Sequence, residues 1–469
     1  MKLYLYIVGI LFTLTCCNKA TCRYAIIGGE IINKNTNYVI LFDSKTVIDT
    51  VNLDGNNRFV YKLNDLNPGV YTFQHGEEIQ MVLLEPGDSI MFRLNTFDFD
   101  ESLVYTGKGA KKNNYLINDF LQNEIEKKEI YKYCQLTPYT FENRIDSIRN
   151  LKNEQLKLFK NKHNPSELFN KIAQANINYS YYTSKEIYPF VRYGQNKKEI
   201  LNGLPKDFYD FRKNVNYNDD VFKNYYNYKI FLRHSFNNIA LQQHLKNNDS
   251  KGFNWMDLCY NTDKLKVIDS MISVPKIKED LLFHYTMGFL SKNKKLDNNQ
   301  KIIDVYLKKS TDIKKRDIVL SYNKSINRLR PGKPFPDIHI VNIADDVINI
   351  NTLFTKPTVI YFWSHVHKRY FEESHKRIDE LSSKYPEVRF ISVNIDDYST
   401  ETWIKTLRNK KLSLDNEYIF ENPKQSKEKL AIYPLTKVIL VRDGGTIVNG
   451  NANMFRNNFE EEILGLLNL

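Results

Sequence analysis

The chain has 469 residues, more than one ordinary domain holds and enough for two or three. Hydrophobic residues make up 42% and charged residues 26%, a balance that lets a soluble chain bury real cores. The net charge of +12 comes from 67 basic and 55 acidic residues interspersed along the chain, and no nucleic-acid-binding motif accompanies it, so nucleic acid is set aside as a partner.

At the N-terminus, Lys2 precedes an apolar run from Leu3 to Leu14 and then Thr15-Cys16-Cys17-Asn18. The run is short for a membrane span and has the charged start and apolar middle of a secretory signal. With cysteines at its end, it resembles a bacterial lipoprotein signal. That resemblance places a Leu three residues before the lipidated Cys. Leu14 stands three before Cys17, so residues 1–17 are expected to be the signal and Cys17 the lipidation site. The protein would then be held to a membrane by a lipid anchor, in the cell envelope, facing the periplasm or the cell surface. Plain secretion or an uncleaved anchor is the other reading. Of the five cysteines, Cys22 follows closely, and Cys134 and Cys259 stand alone. A Cys134–Cys259 disulfide suits an oxidising envelope, but spacing does not establish it.

Residues 24–107 read as an antiparallel β-sandwich. Short runs such as Tyr38–Phe42, Arg58–Tyr61, Val70–Phe73, Met81–Leu84 and Ser89–Arg93 alternate with turns at Asp54-Gly55, Asn67-Pro68-Gly69 and Glu85-Pro86-Gly87-Asp88. Residues 111–328 change to helical spacing, with few Gly or Pro, and form a helical connector. Lys308, Lys309, Lys314, Lys315 and Arg316 fall there and read as a solvated helix face. So do Tyr179, Tyr181, Tyr182, Phe222, Tyr225 and Tyr226, which could line a glycan or peptide groove but more commonly pack between helices.

Residues 331–469 read as an α/β domain opened by Arg330-Pro-Gly-Lys-Pro-Phe-Pro-Asp337. The expected order is strand, strand, helix, strand, helix, helix, strand, strand, helix. Pro357–Trp363 is a continuous apolar run of the kind buried on both faces of a sheet, and Val388–Ile395 reads as a second buried strand. Asp443-Gly444-Gly445 marks a hairpin.

These landmarks resemble the TlpA-like branch of the thioredoxin superfamily. Gly332–Asp337 is similar to its opening motif, Tyr361-Phe362-Trp363 to the strand entering its active site, Asn394-Ile395-Asp396 to the next strand end, and Tyr433-Pro434 to its cis-proline segment. The sandwich resembles the β-module preceding such domains in envelope lipoproteins of Gram-negative bacteria, through Gly28–Ile31, Pro68–Tyr71, Glu85–Ile90 and Tyr105–Ala110. The family runs this strand into a CxxC at the start of a helix. Here those two positions fall on His367 and Tyr370, and the chain has no CxxC. Thiol–disulfide exchange needs a thiolate nucleophile and a resolving sulfur. The expectation is therefore a redox-inactive envelope lipoprotein with a binding or scaffolding role, no catalytic residues and no cofactor. The resemblance implies an edge for an extended peptide or envelope protein at Trp363, Tyr433 and Pro434, although Pro434 could equally only shape a turn. A divergent oxidoreductase borrowing Cys134 or Cys259, and a surface glycan-binding protein, are the alternatives. His365, His367 and His375 invite a metal reading, but His367 and His375 lie about 80° apart on an ideal helix, and no metal is expected.

Overall fold

The computed structural model describes residues 23–468 apart from 35, 44–45, 77, 195, 248–252, 294, 296 and 398–399. The expected signal, residues 1–17 with Cys17, lies outside the described residues. No described helix is long and apolar enough to cross a membrane. The chain is multidomain, with N-terminal β-sheets, a helical middle and a C-terminal mixed α/β sheet. It divides into two compact units, Met1–Glu129 with Leu151–Ala175, and Ile130–Asn150 with Asn176–Leu469.

Among the described residues, the first unit is built on eight strands: β1 (Ala25–Ile32), β2 (Tyr38–Asp43), β3 (Thr46–Asn52), β4 (Arg58–Leu63), β5 (Gly69–His75), β6 (Glu78–Leu84), β7 (Ser89–Asn95) and β8 (Val104–Lys108). They form two four-stranded sheets, ordered β4-β1-β7-β8 and β3-β2-β5-β6. Alternating residues of both sheets point inward to one core, where Phe73 of β5 stacks on Phe92 of β7 at 4.6 Å. One pair departs from the antiparallel expectation, since β1 runs parallel to β7. Ile27 and Ile31 of β1 reach the core only in that central position, between β4 and β7, and direction along the sheet is not encoded in an alternating pattern.

Among the described residues, nine α-helices follow: α1 (Ala110–Tyr133), α2 (Pro138–His163), α3 (Glu167–Val191), α4 (Lys197–Asn202), α5 (Tyr226–Asn247), α6 (Leu258–Met271), α7 (Pro275–Leu290), α8 (Asp297–Lys309) and α9 (Ile313–Arg328). Most of the aromatics singled out in the sequence pack between helices. Tyr179, Phe222 and Tyr225 are buried, and Tyr182 stacks on Phe211 at 4.6 Å, whereas Tyr226 is exposed. The buried carboxylate of Glu186 is satisfied by Arg212, Ser235 and Asn238.

The C-terminal region holds β9 (His339–Val341), β10 (Val347–Asn349), β11 (Thr358–Trp363), α10 (Lys368–Lys384), β12 (Arg389–Asn394), α11 (Thr400–Asn409), β13 (Glu417–Phe420), α12 (Pro423–Lys429), β14 (Val438–Val441), β15 (Ile447–Ala452) and α13 (Phe459–Leu467). The sheet order is β10-β9-β13-β12-β11-β14-β15. The β11–β12 and β12–β13 pairs are parallel, and the pairs outside them are antiparallel. Every residue of β11 is buried, as its continuous apolar run predicts. The expected order places two strands before α10 where the sheet has three, and it also lacks β13; strands of three or four residues carry too little pattern to register. The helical middle meets this sheet at Gly450 of β15, where any side chain would run into the Leu329 carbonyl.

Candidate functional site

The site sits where β11 ends and α10 begins. Trp363 closes β11, a 3-10 turn spans His365–His367, and α10 starts at Lys368. Asp396, just past β12, ties this junction down. Its carboxylate accepts from the Ser364 hydroxyl (2.6 Å), the His365 backbone N–H (2.9 Å) and the Asn394 amide (3.1 Å), and it lies 3.1 Å from His365 Nδ1. Burial lowers the pKa of His365, and the neighbouring Asp396 charge pulls the other way.

His367 is the exposed residue immediately before α10, and its side chain makes no capping hydrogen bond. Tyr370 is half-buried one turn on. Its hydroxyl donates to the Leu435 carbonyl at 3.2 Å, its ring lies 5.9 Å from Phe455, and burial raises its phenol pKa. The structure therefore brings Tyr370 against the segment of Pro434, whose bond to Tyr433 is cis. Neither an imidazole nor a phenol can carry out two-electron exchange with a disulfide.

The three residues of the expected peptide edge have different fates. The indole of Trp363 is fully buried, packed on Phe371 at 4.5 Å, and cannot line a groove. This corrects its place in that set, because the end of a doubly covered strand is core rather than rim. Tyr433 is 43% exposed, but its main chain is engaged within the protein. Its N–H donates to the Ala431 carbonyl (2.9 Å), and its carbonyl accepts from the Tyr322 hydroxyl of α9 (2.9 Å). The two tyrosine rings also meet edge to face at 6.2 Å. Strand addition requires free N–H and C=O groups, and at Tyr433 both are taken. No sequence signal marked Tyr322, which reads as one more aromatic on a helix face.

The histidines do not converge. Both ring nitrogens of His375 are used inside the core, Nδ1 at 2.8 Å from the Phe371 carbonyl and Nε2 at 3.1 Å from Glu417 Oε1. Among the described residues, no group of three His, Cys, Asp or Glu side chains is placed to hold a metal ion. Cys134 and Cys259 are unpaired with each other, the first buried and the second exposed.

No family model matches the chain, and no curated protein does. Among solved structures it is similar to a protein from Bacteroides vulgatus assigned as a thiol-disulfide oxidoreductase, with 24% identity over 30% of this chain and 98% of that one (TM-score 0.27). It is similar to the thioredoxin domain of another thiol-disulfide oxidoreductase from Bacteroides vulgatus, with 18% identity over 29% of this chain and 98% of that one (TM-score 0.25). A thiol:disulfide interchange protein from a Bacteroides species matches at 16% identity over 30% of this chain and 91% of that one (TM-score 0.26). Each of these likenesses covers under a third of the chain.

Proposed function

We propose that this chain is an envelope lipoprotein whose thioredoxin-like region has given up thiol chemistry and serves binding or scaffolding. The observation that carries the reading is the start of α10, where His367 and Tyr370 stand at the positions that would need sulfur, in a stretch from 331 to 469 that holds no cysteine. Borrowed thiols fit poorly. Cys134 is completely buried and its thiol is pushed up to about 12 by burial, which leaves roughly one thiolate in 10⁵ at neutral pH. Cys259 is exposed but, among the described residues, has no sulfur paired with it.

The test is reduction of insulin by dithiothreitol with the full chain present. The expected rate equals that of buffer alone, and clear turnover would overturn the proposal. Restoring sulfur with His367→Cys and Tyr370→Cys together is expected to raise the rate if only the thiols are missing. The anchor is tested separately. A labelled fatty acid fed to cells is expected to tag the protein, and Cys17→Ala to abolish the tag; label retained in that variant would sink the site.

A further inference from the structure

A cleft of about 690 Å³ opens in the second unit beside the N-terminal end of α6. Asn254 and Trp255 form one side, Lys292, Lys295 and Asn298 come from the segment between α7 and the first turn of α8, and Arg456 reaches in from the turn before α13. A second hollow of about 280 Å³ shares Lys292 and Arg456, so the groove continues along β15.

Charge is the first observation. The side chains of Lys292, Lys295 and Arg456 enter no ion pair among the described residues, whereas Lys309 and Lys315, elsewhere in the helical region, are paired with Asp269 and Asp280. Asp257 is the carboxylate lining the larger hollow, and its Oδ1 already accepts the Cys259 N–H as the cap of α6. Glu462 lines the smaller one and is held by the amides of Asn449 and Asn458. The local field is positive enough that burial, with Arg233, Lys264, Lys292 and His234, holds His284 down to about 4.

Trp255 is the second observation. It is 46% exposed, yet its ring is braced by Phe190 at 4.6 Å and Phe253 at 5.3 Å. Such a ring offers a rigid platform of low entropy cost, with the amides of Asn254 and Asn298 beside it to donate to and accept from hydroxyls. A bare anion would leave the indole idle, and a neutral sugar would leave three cations unpaired. We propose that this cleft binds an acidic saccharide, its ring against Trp255 and its carboxylates on Lys292, Lys295 and Arg456. The proposal stands independently of whether thiol chemistry is lost.

Trp363 and Trp403 are fully buried, so of the three tryptophans Trp255 is the one a ligand can reach, and fluorescence reports on it. The experiment titrates the full chain in detergent with trigalacturonic acid, with maltotriose and inorganic phosphate as separate arms. The expected result is a saturable fluorescence change with the triuronate alone, weakening as salt is raised. Calorimetry should show binding at least roughly tenfold weaker in Lys292→Gln/Arg456→Gln, equivalent to about 1.4 kcal/mol. It should also show weaker binding in Trp255→Phe. No saturable binding, equal affinity for maltotriose, or the same fluorescence change with phosphate overturns the proposal. Affinity of the unaltered protein that does not change with salt overturns it as well, whatever the variants do.

Discussion

Lys437 shows how far a single side chain can escape a reading of sequence. It directly precedes β14 and looks like a surface lysine between strand and turn, yet it is buried, with Nζ donating to the carbonyls of Leu430 (2.8 Å) and Ala431 (3.2 Å) at the end of α12. Burial holds its pKa down to about 7 against an ordinary value of 10.5. Below about pH 7 the amine is charged in both folded and unfolded states, and the folded protein bears the full cost of the buried charge. Between about 7 and the unfolded value the folded protein sheds the proton while the unfolded chain keeps it, so stability rises with pH across that window. Lys437→Met is expected to flatten the melting temperature against pH from 7 to 10, removing a slope of at most about 1.4 kcal/mol per pH unit. Lys264, also held down to about 7 by burial, remains in both proteins and cancels in the comparison. Equal slopes in the two proteins would refute this account. The loss of sulfur at His367 and Tyr370 was legible for the opposite reason, because it depends only on counting from the end of an apolar strand.

Elements were legible in proportion to their length and period. β11 announces itself as an unbroken apolar run, β12 as a short apolar stretch interrupted by Ser392, and α10 as a long amphipathic stretch. β13 did not, because four residues, two of them aromatic and one a glutamate, satisfy no template. That glutamate is Glu417, and it joins β13 to α10 through His375, with side-chain exposures of 5% and 6%. Taking away the imidazole would strand a carboxylate in the core, where Glu417 Oε2 already lacks a partner. His375→Leu is expected to lower unfolding free energy by about 3 kcal/mol, and adding Glu417→Met to recover most of it. Urea denaturation of both variants checks this; if the double variant is no more stable than the single one, the pair is not what the loss reflects.

At the scale of the whole molecule, the succession of β-rich, helical and α/β stretches was plain from where the hydrophobic period changes. What stayed hidden was anything made by residues distant in the chain. The parallel β1–β7 pair, the separate fates of Cys134 and Cys259, and the groove shared by Trp255 and Arg456 all depend on three-dimensional proximity that no local pattern carries. The bond from Tyr322 to the carbonyl of Tyr433 belongs to the same class, and it bears on how the chain should be divided for study. A fragment begun at the proline-rich boundary would keep the α/β sheet but leave Tyr322 behind. Its cis-proline loop would then show solvent a bare carbonyl and an uncovered aromatic face, an adhesive patch of the fragment's own making. Peptide capture by that fragment would report the cut rather than the protein.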